Sequence, residues 1–280
     1  MLARNFWLIA VLCAAVSMAG AQQWPTPNRP VLPAQQAPTP EPSTAPTRGV
    51  IPAQDGGVRE VLESIVVPPI PHEPFTATLI TEWVRYTPDG ASITLLNQRR
   101  IARDAQGRLY EERWALVPKN GDIASRLQWI QIADAHTRTL YNCNMIARVC
   151  DLLRYDPARD LAAAGAPPSS SGPLPGDRGF SQTESLGNRV IAGVDTIGTR
   201  VTTTLNPGAV GNDRPVVKTS ETWRSEQLAI NLLSIRTDPL FGTQTFTISD
   251  LDAGPPDPQL FELPVNFPVR DQRAARPPSP

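Results

Sequence analysis

From Phe75 onward the chain alternates apolar and polar residues with a period of two, broken about every ten residues by Gly, Pro, Asn or Asp. In FTATLITEWVRY, Phe75, Ala77, Leu79 and Trp83 share one parity, and Thr76, Thr78 and Glu82 the other. A pleated backbone points successive side chains to opposite faces, so this pattern predicts a half-buried strand. TPDG at 87–90 follows as a hairpin turn. ASITLLNQRRIARD, LYEERWALV and RLQWIQIAD come next, with AQGR and PKNGD between them. In the last of these Leu127, Trp129 and Gln131 alternate with Ile130 and Ile132. AHTR turns the chain into TLYNC and then ARVCDLLRY. Strands resume at SLGNRVIAGVD and continue through TIGTRVTTTL, RPVVKTSETWRS, LAINLLSIRTD and GTQTFTISDLD. PPDPQLFELP predicts a one-turn helix held down by Leu260, Phe261 and Leu263. One further short helix is predicted at about Val58 to Ile65, where Val58, Val61, Leu62 and Ile65 have helical spacing and Pro68 and Pro69 stop it.

The predicted fold class is therefore mainly β: a single antiparallel meander of about eleven strands with one or few short helices, forming a half-barrel, an open barrel or a sandwich. Threonine, valine and isoleucine fill the strands, as pleated half-buried surfaces favour.

Composition divides the chain further. Residues 1–21 join Arg4, an apolar run from Phe6 to Val16 and the small-residue site Ala19-Gly20-Ala21. That is the form of a secretory signal peptide. Residues 22–55 contain nine prolines and few large apolar side chains, so they cannot bury enough surface to offset ordering entropy. They are expected to be a disordered tether, with a proline-rich recognition peptide as the sharper reading. Residues 56–269 are expected to form the β domain, interrupted by a mobile surface loop at 156–180 that is rich in Gly, Pro and Ser. Residues 270–280 are expected to be a disordered tail. The net charge is -1 and the pI about 6.2, with no basic stripe, which argues against nucleic acid as a partner. No transmembrane segment is expected after signal cleavage, since no later stretch approaches the ~20 apolar residues of a span.

Cys13 lies inside the signal segment, which leaves Cys143 and Cys150 for the exported chain. An even cysteine count in an oxidising compartment fits one disulfide. If TLYNC and ARVCDLLRY pair symmetrically, the two cysteines oppose each other, and a non-hydrogen-bonded pair suits the bridge best. The intervening turn lacks Asn-Gly or Asp-Gly, so its turn chemistry reads as weak and the disulfide as compensation. Redox or metal roles for the pair are the other readings.

Candidate chemistry is sparse. The two histidines, His72 and His136, lie in a proline-flanked entry segment and in a turn. His136, Asp134, Cys143 and Cys150 contain ligand types, but the usual zinc spacings are missing. There is no Gly-x-Ser-x-Gly elbow and no Gly-rich phosphate loop. Asp104, Glu111 and Glu112 sit among Arg99, Arg100, Arg103, Arg108 and Arg113, which reads as a solvated face with cross-strand ion pairs. Trp83, Trp114, Trp129, Trp223 and Phe246 all fall on predicted strands. They are core residues on the plainer reading, and on the functional one they line a hydrophobic pocket.

Three stretches carry a family resemblance: RRIARDAQGRLYEE (99–112), VIAGVDTIGTRVTTTL (190–205) and ETWRSEQLAINLLSIRTDPLFGTQTFTISDLDAGPPDPQLFELPVNF (221–267). The chain resembles a family of exported bacterial proteins of unknown function. It is also similar to outer-membrane lipoprotein carriers, whose half-barrel wraps around short helices. The resemblance covers most of Phe75 to Phe267, and implies a concave apolar face that holds acyl chains in the periplasm. The resulting expectation is an exported, non-enzymatic binding or carrier module for a lipid-like or hydrophobic ligand, without cofactor or metal. The alternative is a protein-interaction or structural module of the cell envelope, with an envelope protein as partner.

Overall fold

A computed structural model describes residues 65–165 and 171–274. The expected signal peptide and tether lie outside these residues, as does the short helix except for Ile65. Fourteen strands form one sheet. They are β1 (Phe75–Tyr86), β2 (Ser92–Arg103), β3 (Leu109–Trp114), β4 (Val117–Pro118), β5 (Leu127–Asp134), β6 (Thr139–Asn144), β7 (Val149–Arg154), β8 (Gly172–Pro173), β9 (Gly179–Ile191), β10 (Val194–Leu205), β11 (Val216–Ser225), β12 (Ile230–Asp238), β13 (Gly242–Asp252) and β14 (Val269–Asp271). Across the sheet the order is β14-β7-β6-β5-β3-β2-β1-β13-β12-β11-β10-β9-β8, with β4 added to β2. The sheet stays open, mainly β and antiparallel as expected. The strands beyond about eleven are the two- and three-residue pieces β4, β8 and β14.

The path is two meanders rather than one. β1 to β7 and β9 to β13 each run neighbour to neighbour, and β1 joins them by pairing with β13 from Thr76↔Asp252 to Val84↔Thr243. The turns between β1 and β2, β3 and β5, β6 and β7, β10 and β11, and β12 and β13 therefore share one end of the sheet, here the upper. The remaining hairpin turns share the lower end.

Alternation in β1 is strict: Phe75, Ala77, Leu79, Thr81 and Trp83 are buried and the residues between them are half-buried. Phe75, Ala77 and Leu79 pack with Ile101, Leu109 and Ala133 on one side and with Ile230, Leu232, Phe246 and Ile248 on the other. Ile65, Val67, Tyr155 and Leu228 complete this main core. At about 25 cal/mol per Å² of apolar area, each large side chain there stabilises by about 2 kcal/mol or more. A second cluster lies on the reverse face. Ala102, Tyr110 and Ile132 are covered by Phe261, with Leu260 and Leu263 beside it. The 3-10 turn Pro258–Phe261 places this cover, its start capped by Asp257 Oδ1, which accepts from Gln259 N at 2.9 Å.

Three expectations need correction. The stretch 156–180 is not a loop throughout. Asp156 accepts from Ala158 N at 3.2 Å and Pro157 takes the first helical position, so helix α1 (Pro157–Ala163) forms, and β9 begins at Gly179. The tail does not begin at residue 270 either. Residues 269–271 form β14, parallel to β7. Gln272 N donates to Leu152 O at 2.9 Å, and Arg270 pairs with Asp151 at 2.8 Å. The edge of β7 presents unpaired N–H and C=O groups, which β14 satisfies.

The arginine-rich stretch is not a uniformly solvated face. Arg103 is fully buried. Its Nε donates to Glu73 O at 2.8 Å, Nη1 to Pro68 O at 3.0 Å and Nη2 to Leu228 O at 2.9 Å. The guanidinium also lies 5.1 Å from the Phe75 ring centroid. Burial pulls it down to about 10, against the pull of Glu73. Arg103 thus ties the entry segment to the β11–β12 turn of the other meander.

Candidate functional site

A cleft of about 430 Å³ opens on the main face above the core. Thr81, Asn97 and Phe246 sit in register across β13, β1 and β2, since Thr81 opposes both Phe246 and Asn97. Arg99, Arg113, Gln128 and the 114–116 segment complete the lining. Phe246 lines the cleft from beneath and is itself buried in the core, so the floor there is aromatic. Asn97 Nδ2 donates to Trp114 O at 2.8 Å, which orients the amide. Among the described residues, Asn97 Oδ1 is buried and accepts no hydrogen bond. Ser234 Oγ, one strand beyond Phe246 in the same register, is likewise buried without a partner. A buried acceptor without a donor costs about 1–3 kcal/mol, so such groups point to something that satisfies them.

Charge surrounds this acceptor. Glu111 Oε2 lies 2.8 Å from Arg113 Nη2 and 3.7 Å from Arg99 Nη1. Burial lowers the Arg99 guanidinium to about 10; the Arg113 charge adds to that shift and Glu111 opposes it. Arg113 Nε also donates to Gln131 Oε1 at 3.0 Å. The cleft is therefore amphipathic: an aromatic floor, a neutral acceptor and a rim of paired charge.

The aromatic residues predicted for a hydrophobic pocket are not gathered in one place. Phe246 and Trp114 line the cleft. Trp83 shares the main face, opposes Gln244 and donates from Nε1 to Phe241 O at 2.7 Å. Trp129 opposes Arg113 and Asn144, farther along the sheet. Trp223 is buried by β10. A Cβ on Gly198 would come within 2.7 Å of its ring, and Arg189 stacks on it at 4.2 Å. Trp114 and Trp223 also share a device that pattern reading overlooked. Each donates from Nε1 to the glutamate two residues earlier, Glu112 Oε2 at 2.7 Å and Glu221 Oε1 at 2.8 Å. The Trp223 bond and Arg200 hold Glu221 below the ordinary carboxylate range, against some desolvation.

Asn97 and Arg99 were also missed, because polar and charged side chains read as outward-facing. Parity carries the signal. Ile101 points into the core, so Asn97, Arg99 and Arg103 must point the same way.

Cys143 and Cys150 form a disulfide, opposed in register across β6 and β7 with Cα atoms 3.9 Å apart. Cys150 N donates away from Cys143, to Pro268 O at 3.0 Å, which makes this a non-hydrogen-bonded pair as expected. The turn, however, is not weak. Asn144 Oδ1 accepts from Ile146 N and Ala147 N, at 2.9 and 2.8 Å, and Arg148 adopts φ 53°. The β5–β6 turn repeats this chemistry: Asp134 Oδ1 accepts from His136 N and Thr137 N, and Arg138 has φ 53°. His136 is thereby a turn residue. Among the described residues no group of three or more His, Cys, Asp or Glu could hold a metal ion. Nor is any described helix long and apolar enough to cross a membrane.

No protein family matches this chain in sequence, and no curated protein matches it. Among solved structures it is similar to MucB of Pseudomonas aeruginosa, seen in complex with MucA, at 13% identity and a TM-score of 0.35, covering 69% of this chain and 56% of that one. The chain thus spans little more than half the length of the MucB structure it matches. It is also similar to an uncharacterized conserved protein from Thermus thermophilus, at 10% identity and a TM-score of 0.37, covering 71% and 91% of the two chains. A LolA superfamily protein from Nitrosomonas europaea follows at 12% identity and a TM-score of 0.26, covering 70% and 93%. The likeness is distant in every case. At these identities and scores it carries nothing about ligand, partner or activity.

Proposed function

We propose that the chain is an exported, non-enzymatic binding module that holds a lipid-like ligand in the cleft beside Asn97. The observation that carries this reading is the buried, unpartnered Asn97 Oδ1 next to the aromatic floor of Phe246. An apolar tail would lie on Phe246, and a head group offering an N–H or O–H would satisfy the amide oxygen. The expected signal peptide and the disulfide support an oxidising, exported setting.

Native mass spectrometry of protein recovered from envelope extracts tests this. Co-purified lipid is expected on the wild-type chain, and an Asn97→Leu variant should lose most of it. Wild-type protein free of lipid, or a variant carrying as much as wild type, overturns the reading. Capture of an envelope protein without lipid would replace it with the interaction-module alternative.

A further inference from the structure

The two ends of the sheet are built differently. The upper turns carry large apolar side chains in water. Val210 lies between β10 and β11, Leu240 between β12 and β13, Ile123 between β3 and β5, and Ile146 between β6 and β7; Tyr86 and Ile93 flank the β1–β2 turn. All six are between 48% and 73% exposed. The lower hairpin turns are Asp104–Arg108, Ala135–Arg138, Ala192–Gly193 and Glu226–Ala229, and none presents an exposed large hydrophobic residue. Leu228, the one large apolar residue among them, is buried in the core. At that end the exposed large apolar residues are Val190, which flanks the β9–β10 turn, and Leu161 on α1.

The spacing identifies what fits the upper end. Successive upper turns are two strands apart, so their tips stand about 10 Å from one another. Polar residues separate them, such as Asp89, Lys119 and Asp213. A protein partner requires apolar area gathered into one desolvated core. A row of single apolar tips suits a fluid surface that accepts each one separately. Charge does not account for such contact, because bases and acids pair along the rim: Lys119 with Glu82 at 2.8 Å, and Arg214 with Asp213 at 3.5 Å.

We infer that this upper rim seats the protein on a lipid bilayer, its apolar tips entering the head-group boundary. This goes beyond the ligand reading and does not depend on it. Neither Asn97 nor Phe246 belongs to the rim.

The test is flotation of the form recovered after export with vesicles of phosphatidylcholine alone. Wild type should float with the vesicles, with little change at high salt. A Leu240→Ser, Ile123→Ser, Ile146→Ser triple variant should bind at least tenfold more weakly and keep the wild-type melting temperature, since these side chains face water. Asn97→Leu should bind vesicles like wild type, whatever its lipid content. Absence of binding to neutral vesicles, binding only to anionic vesicles that salt abolishes, or a triple variant that binds like wild type would each overturn the inference.

Discussion

The two meanders solve the same problem with different amounts of cover. In β1 to β7 the main core lies on one face, and Ala102, Tyr110, Ile132 and Phe261 close part of the other. β9 to β13 shares the main core through Ile230, Leu232, Phe246 and Ile248, but no such cluster closes its reverse face among the described residues. There threonines line up instead: Thr202, Thr219, Thr237 and Thr243 oppose one another in sequence across four strands. Thr237 and Thr243 share a hydrogen bond of 3.2 Å between their hydroxyls. A sheet face left open to water readily carries a row of β-branched polar residues, which a face closed by an apolar cluster disfavours. The C-terminal segment makes the difference, since it lies over the first meander and its β14 pairs with β7.

The comparison breaks most readily where the meanders are joined. Arg103→Met should cost about 4 kcal/mol, because three buried carbonyls lose their donor together. Arg103→Lys should recover only part of this, since an ammonium lacks the planar fork that reaches separated carbonyls. Urea denaturation of both variants checks this. A loss below about 1 kcal/mol would mean that the joint rests on the β1–β13 pairing alone.

The unequal cover predicts the next effect. Phe261→Ala should destabilise by about 3 kcal/mol, as truncation of a cluster-forming aromatic does. Val217→Ser, on the reverse face of the second meander, should stay within about 0.5 kcal/mol because Val217 is exposed. Thermal melts of the two side by side decide whether the faces differ as described.

The smallest effect probes the Glu-x-Trp device on the less covered side. The folded pKa of Glu221 is lowered, so its contribution is complete above the ordinary carboxylate range and is lost as pH falls through the lowered value. Glu221→Gln should therefore cost about 0.5 kcal/mol at pH 7, and the difference should shrink as pH falls below the ordinary carboxylate range. A pH series of melts on both proteins measures it, and a gap that widened in acid would reverse the assignment.

Much of the fold was legible because a pleat has a fixed period. The β1 faces, the TPDG hairpin, the opposed cysteines and the Leu260–Phe261–Leu263 cover all follow from local pattern. Less of the candidate site was legible. Arg103 and Arg99 are charged residues on an inward parity, and residue type outweighed parity in reading them. The YNCNMIARVC turn looked weak for lack of Asn-Gly, yet Asn144 and Arg148 supply an equivalent geometry by a side-chain cap and a left-handed residue. The Gly-, Pro- and Ser-rich composition of 156–180 reads as loop, although Asp156 and Pro157 are a good helix start.

By itself, then, the sequence determined the mainly β class, the hairpin succession and the partners of most short-range pairs, because these depend on side-chain parity and turn chemistry within a few residues. Only the tertiary structure decided that two meanders meet at β1 and β13, that Arg103 bridges them, that residues 258–271 cover one reverse face, and that the apolar turn tips share one end. Each of these depends on contacts between residues far apart in the chain, such as the 125 positions between Arg103 and Leu228, where no local period carries the information.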